Sequence, residues 1–179
     1  MLVWYPKKGT GTEVTSVKTR DITVSALLAA SAIVLGATGL GFVPVPTPAG
    51  RATIMHIPTI LAGVLEGPVI GGLVGLIFGL YSFLTTAVPF LRDPLIAIVP
   101  RILIGVVAAL IFKATRKSSF AAVAGTLTNT GGVLGLAVLR GYLPGKVALS
   151  VAATHGIPEV IVATILVVLI VRGIRKYFS

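Results

Sequence analysis

Residues 51–84 read RATIMHIPTILAGVLEGPVIGGLVGLIFGLYSFL, two apolar segments hinged at Glu66-Gly67-Pro68 and opened by a charge and a histidine. The first segment, 54–65, is short for a membrane span, which takes about 20 apolar residues. The second, 69–84, carries Gly71, Gly72, Gly75 and Gly79, placing small residues at i, i+4 and i+8 of one helix face. In water so many glycines weaken a helix. In lipid, where packing rather than apolar burial drives association, they let backbones approach closely. The stretch predicts a tightly packed membrane hairpin with its polar groups at one end.

The rest of the chain has the same character. It is 55% hydrophobic and 11% charged, with a mean hydropathy of +1.03. That balance, with several runs of spanning length, predicts one integral membrane domain rather than a soluble fold. Residues 1–21 are polar and basic, with Trp4 and Tyr5 suited to a headgroup layer. They read as a cytoplasmic or interfacial lead. The apolar run from Ile22 is too long for a signal-peptide core, so no cleaved leader is expected. Zero cysteines exclude disulfides and thiol catalysis.

Six helices fit residues 22–179, over about 22–40, 57–66, 69–85, 95–113, 120–139 and 158–171, giving an all-α compact bundle. Pro44, Pro46 and Pro48 make the first connection extended rather than helical. The connection after residue 139 is expected to carry one further apolar turn, 147–153, before His155. An even helix count puts both termini on one side, together with Lys7, Lys8, Lys18, Arg20, Lys113, Arg116, Lys117, Arg172, Arg175 and Lys176. Arg51, Arg92, Arg101, Arg140 and Lys146 fall opposite. Basic residues favour the cytoplasmic side, so both termini are expected there. The net charge of +10 is thus a topology signal and no nucleic-acid footprint.

Polar side chains at membrane depth need a reason. Asn129, His155 and Glu159 form the strongest set, His155 and Glu159 sharing a face if helix continues across Gly156. They are suited to hydrogen-bonding a polar ligand near the outer mouth. The competing reading makes Glu159 a dipole-favoured residue at a helix start and His155 a cap. Arg92 and Arg101 are candidate clamps for a carboxylate, Arg101 standing inside the apolar run LIAIVPRILIGVV. Arg51 and Arg140 read as snorkelling to headgroups. Asp93 is expected to pair with Arg92. Tyr81 is a candidate pocket wall. His56 is expected to hydrogen-bond the first connection. A metal site from His56, His155 and Glu159 would be too scattered; no metal or cofactor is expected. Ala26, Ala29 and Ala30 give the first helix a small-residue face, for packing within the chain or for docking another membrane protein. Walker A, G-x-S-x-G and H-E-x-x-H motifs are all missing.

Together these features resemble the S-component, the substrate-binding membrane subunit, of an energy-coupling factor (ECF) vitamin transporter. The resemblance rests on six helices in this length, both termini inside, the Ala26-xxx-Ala30 face and the proline-bearing first outer loop. Its most specific part is residues 54–83, IMHIPTILAGVLEGPVIGGLVGLIFGLYSF, and it covers about 23–171. It implies a prokaryotic plasma-membrane protein, not an enzyme. Such a protein captures a vitamin-like small molecule outside and docks through the alanine face on a membrane-embedded coupling subunit driven by two cytoplasmic ATPases. The helix 2–3 run looks most like the pantothenate group, whose anionic substrate would suit Arg92 or Arg101. Riboflavin and cobalamin stay open, since Tyr81 could stack on a ring. A stand-alone secondary transporter would carry a polar stripe along a whole helix; here the polar groups cluster at one end.

Overall fold

The computed structural model describes residues 19–44 and 51–178. The expected lead lies outside them up to residue 18, as do Pro46 and Pro48. Helix α1 (Thr19–Thr38) leads through a turn into strand β1 (Phe42–Pro44), which pairs antiparallel with β2 (Arg51–Thr53), Val43 opposite Ala52. This ribbon corrects the all-α expectation. The two described limbs of the first connection are extended, Pro44 closing β1, and satisfy each other's backbone groups, an economical arrangement where water is scarce.

Helix α2 (Ile57–Glu66) follows, with Pro58 in its first turn, where no N–H is needed. Its ten residues make a rod about 15 Å long, and all but Glu66 are buried. It is the axis of the bundle. The hinge falls at Gly67, whose φ of 94° is open to glycine without a Cβ penalty. Its N–H closes α2 on Gly63 O at 3.1 Å, and Pro68 starts α3 (Pro68–Thr85).

A 3₁₀ turn (Pro89–Arg92) leads into α4 (Pro94–Thr115), capped by Asp93, whose carboxylate accepts from Leu95 N at 3.0 Å. Helix α5 (Ser118–Leu139) precedes α6 (Gly145–Val151), a π turn (Ala152–Gly156) and α7 (Ile157–Phe178). The last three run on as one rod. Residues 145–174 therefore form a single span of 30 residues, longer than the helix expected from Pro158. Pro158 does not start a helix. It lacks the N–H that would bond Thr154 O, and the backbone widens into the π turn just ahead of it.

Among the described residues, five helices are long and apolar enough to cross a membrane: α1, α3, α4, α5 and the α6–α7 rod. The core runs through Ile60, Val64, Ile104, Ala108, Ala121 and Val167. The glycine face does what its spacing predicts. A Cβ on Gly71 would meet Gly105 O at 2.8 Å and Gly63 Cα at 2.8 Å; one on Gly79 would meet Ile98 Cα at 2.9 Å. One on Gly75 would run into Arg101 O. Helices α2, α3 and α4 thus touch backbone to backbone where Gly63, Gly71 and Gly105 converge. Gly72 sits beside the seam: a Cβ there would stand 3.5 Å from Val106 Cγ2, an ordinary contact that leaves room for a methyl.

Candidate functional site

One end of the bundle gathers the buried polar side chains: the start of α2, the first turns of α4, the last half of α5 and the start of α7. His56, at the N-cap of α2, is fully buried, and its Nε2 is 3.0 Å from Thr126 Oγ1 of α5. That contact replaces the expected bond to the first connection. One turn further along α5, Thr130 Oγ1 donates to Glu159 Oε2 at 3.1 Å. The other carboxylate oxygen accepts from Thr53 N of β2 at 3.3 Å. Glu159 therefore ties ribbon, α5 and α7 together while only 7% exposed.

Arg101 is 6% exposed. Its guanidinium lies over the Phe78 ring of α3, 5.7 Å from the centroid, and Nη1 donates to Ile96 O at 3.0 Å. Among the described residues no carboxylate stands within ion-pair distance of it. Several buried polar atoms here have no hydrogen-bond partner: Arg101 Nε, Asn129 Oδ1, His56 Nδ1, Thr53 Oγ1 and Thr59 Oγ1. Buried groups in folded proteins are rarely left so. These donors and acceptors without partners, one of them cationic, are free to hydrogen-bond a polar group.

The other candidates stand differently. His155 is half-buried in the π turn with Nδ1 3.1 Å from Thr154 Oγ1. Tyr81 packs over Gly36, where a Cβ would meet its Cε1 at 2.7 Å, so it seals the α1–α3 seam. Arg92 is exposed on the 3₁₀ turn. Asp93 pairs with Arg140 rather than Arg92: Arg140 Nε donates to Asp93 Oδ2 at 2.9 Å, joining the connection before α4 to the one after α5. Burial works against the Asp93 carboxylate, but the Leu95 amide and Arg140 outweigh it and hold its pKa below the usual 3.8. Of the alanine face, Ala26 and Ala30 point outward, whereas Ala29 is buried against Ala62, Ile70 and Val74.

Sequence reading passed over Thr53, Thr126, Thr130 and Phe78. The signal for two of them was there: Thr126 and Thr130 are one turn apart in TLTNT, which also holds Asn129. Two grooves lie apart from the unpartnered atoms. One of about 340 Å³ runs between α5 and the π turn, lined by Leu127, Gly131, Ala152 and Val160 together with Thr130, the partner of Glu159. Another of about 410 Å³ runs between α3 and α4 at Val69, Leu73 and Ile102. Both are apolar and suit lipid tails better than a polar guest.

Comparison with known proteins gives this arrangement a family. The pantothenic acid transporter PanT of Lactococcus lactis subsp. cremoris (strain MG1363) is 32% identical over 154 residues, spanning 70% of this chain and 79% of that protein. A solved structure, described as the S component of a bacterial ECF transporter, superposes with a TM-score of 0.63 at 22% identity. It covers 89% of this chain and 98% of its own, a likeness of fold. The model of the family "ECF transporter, substrate-specific component" matches residues 20–171. The chain, a membrane protein with its polar cluster at one end of the bundle, belongs to the substrate-specific components of ECF transporters.

Proposed function

We propose that the chain captures pantothenate, in the polar cluster of Arg101, Asn129, Glu159 and His56. The observation that carries this reading is Arg101, a buried guanidinium with no carboxylate partner among the described residues. A carboxylate guest supplies its counter-charge in a bidentate contact. Asn129, Thr130, Glu159 and His56 offer the donors and acceptors that an amide and two hydroxyls need. The similarity to PanT supports the same substrate.

The wider arrangement follows the family. Helix α2 serves as a sixth, half-length crossing, and both termini face the cytoplasm of a prokaryotic cell, where the basic residues concentrate. The chain docks through Ala26 and Ala30 on a membrane-embedded coupling subunit, with two cytoplasmic ATPases supplying the energy. Ala29 has a role inside α1, α2 and α3 instead.

The test is direct. Protein purified in detergent is denatured and the released small molecules identified by mass spectrometry; an empty preparation is titrated by thermal shift. Pantothenate released, or stabilising the protein, supports the reading. Riboflavin or cobalamin would replace the substrate. Uptake by the chain alone in liposomes, with no ATPases present, would make it a secondary transporter.

A further inference from the structure

Pro100 stands inside α4 and has no N–H to give Ile96 O, its partner four residues back. In most helices such a carbonyl is left to water or to a distortion of the helix. Here the next side chain fills the vacancy: Arg101 folds back and donates from Nη1 to Ile96 O at 3.0 Å. Two further contacts fix the geometry. The Pro100 ring fits against α5, where a Cβ on Gly132 would meet Pro100 Cβ at 3.0 Å. Phe78 lies under the guanidinium at 5.7 Å.

We propose that Pro100 is a positioning residue for substrate recognition, exposing the Ile96 carbonyl so that it holds Arg101 by Nη1 and presents the guanidinium's other edge to a ligand carboxylate. Nη1 lies on the Cδ side of the guanidinium, so the Nε–Nη2 edge is the one left for two parallel hydrogen bonds. Nε, on that edge, is buried and has no partner. A freely rotating arginine would lose more side-chain entropy on binding than one already held. The inference rests on the proposal that Arg101 meets an anionic substrate.

Pro100→Ala returns an N–H to the helix. Ile96 O then has a backbone donor, and the hold on Arg101 weakens while the charge stays in place. The decisive quantity is a ratio of affinities, measured by calorimetry in detergent, for pantothenate and for pantothenol, which has a hydroxyl where pantothenate has the carboxylate. General damage to the site weakens both ligands alike. Loss of guanidinium positioning weakens pantothenate alone. Pro100→Ala should cut the preference for pantothenate about tenfold, the worth of one charge-assisted hydrogen bond. Phe78→Leu, which removes the supporting ring and leaves the helix intact, should cut it in the same direction.

Arg101→Gln separates the two proposals. If it leaves the preference unchanged, or the unaltered protein binds no pantothenate, the substrate reading fails. If Arg101→Gln abolishes the preference while Pro100→Ala and Phe78→Leu keep it, Arg101 is a ligand contact and the positioning role is overturned. Should Pro100→Ala not fold, Pro100→Ser, which also returns the N–H, takes its place.

Discussion

Alanine in place of Gly105 adds one methyl group where three helices meet. The added Cβ would lie 2.6 Å from Gly71 Cα and closer still to the Gly71 carbonyl. Ordinary carbon–carbon contact is 3.5–4.0 Å, so α3 and α4 must part by about 1 Å. No rotamer change can relieve this, because the obstructing atoms are backbone. Overpacking typically costs about 1–3 kcal/mol, and a backbone obstruction belongs at the upper end. Against it stands about 1 kcal/mol of helix propensity gained on replacing glycine. The net loss is about 2 kcal/mol, or about thirtyfold in the folding equilibrium. Gly135→Ala in α5 is the matched control, since nothing lies within 4 Å of the position its Cβ would take. Thermal unfolding in detergent should place Gly105→Ala several degrees below the unaltered protein and Gly135→Ala at or above it. Equal melting of the two variants would refute the close-contact reading of the α3–α4 seam.

Other consequences can be measured independently. The lowered pKa of Asp93 means that its pairing with Arg140 stabilises the fold fully above the usual carboxylate pKa and is lost as pH falls through the lower, folded value. Asp93→Asn keeps the helix cap and removes the charge, so its Tm deficit should hold at neutral pH and vanish in acid; a deficit independent of pH would reject the pairing. Glu159→Ala strips acceptors from Thr53 N and Thr130 Oγ1 and should cost about 2–3 kcal/mol of stability, visible as faster hydrogen exchange at Thr53. Unchanged exchange there would exclude the tether. Ala26→Leu combined with Ala30→Leu should abolish co-purification with a coupling subunit while substrate affinity holds, and undiminished co-purification would remove that face from docking.

How far these features were legible in the sequence depended on their range. The glycine seam was readable because Gly71, Gly75 and Gly79 recur at helical spacing, and spacing along one helix fixes a face. The burial of Glu159 and Arg101 was readable because each is charged inside an apolar run. Partners far apart in the chain were not. Nothing local tells Asp93 to choose Arg140 over its neighbour Arg92, or His56 to choose Thr126 over the adjacent connection; the closing of α4, α5 and α2 on one another decides both. The start of the last helix was misplaced for a local reason. His155-Gly156-Ile157-Pro158 has the composition of a helix beginning, yet α6 runs into it through a π turn and the rod stays continuous. Residue type alone groups Ala29 with Ala26 and Ala30, but 100° per residue turns it inward.

Helix α2 has one more consequence. With ten residues it reaches only about half of a 30 Å hydrocarbon layer, and it occupies the centre of the bundle. Its neighbours α3, α4 and α5 are longer, at 18, 22 and 22 residues. The β1–β2 ribbon, rather than more helix, leads the chain into it. The start of this short helix is therefore enclosed by its neighbours instead of standing at their rim, and His56, fully buried there, meets Thr126 of α5 in the interior.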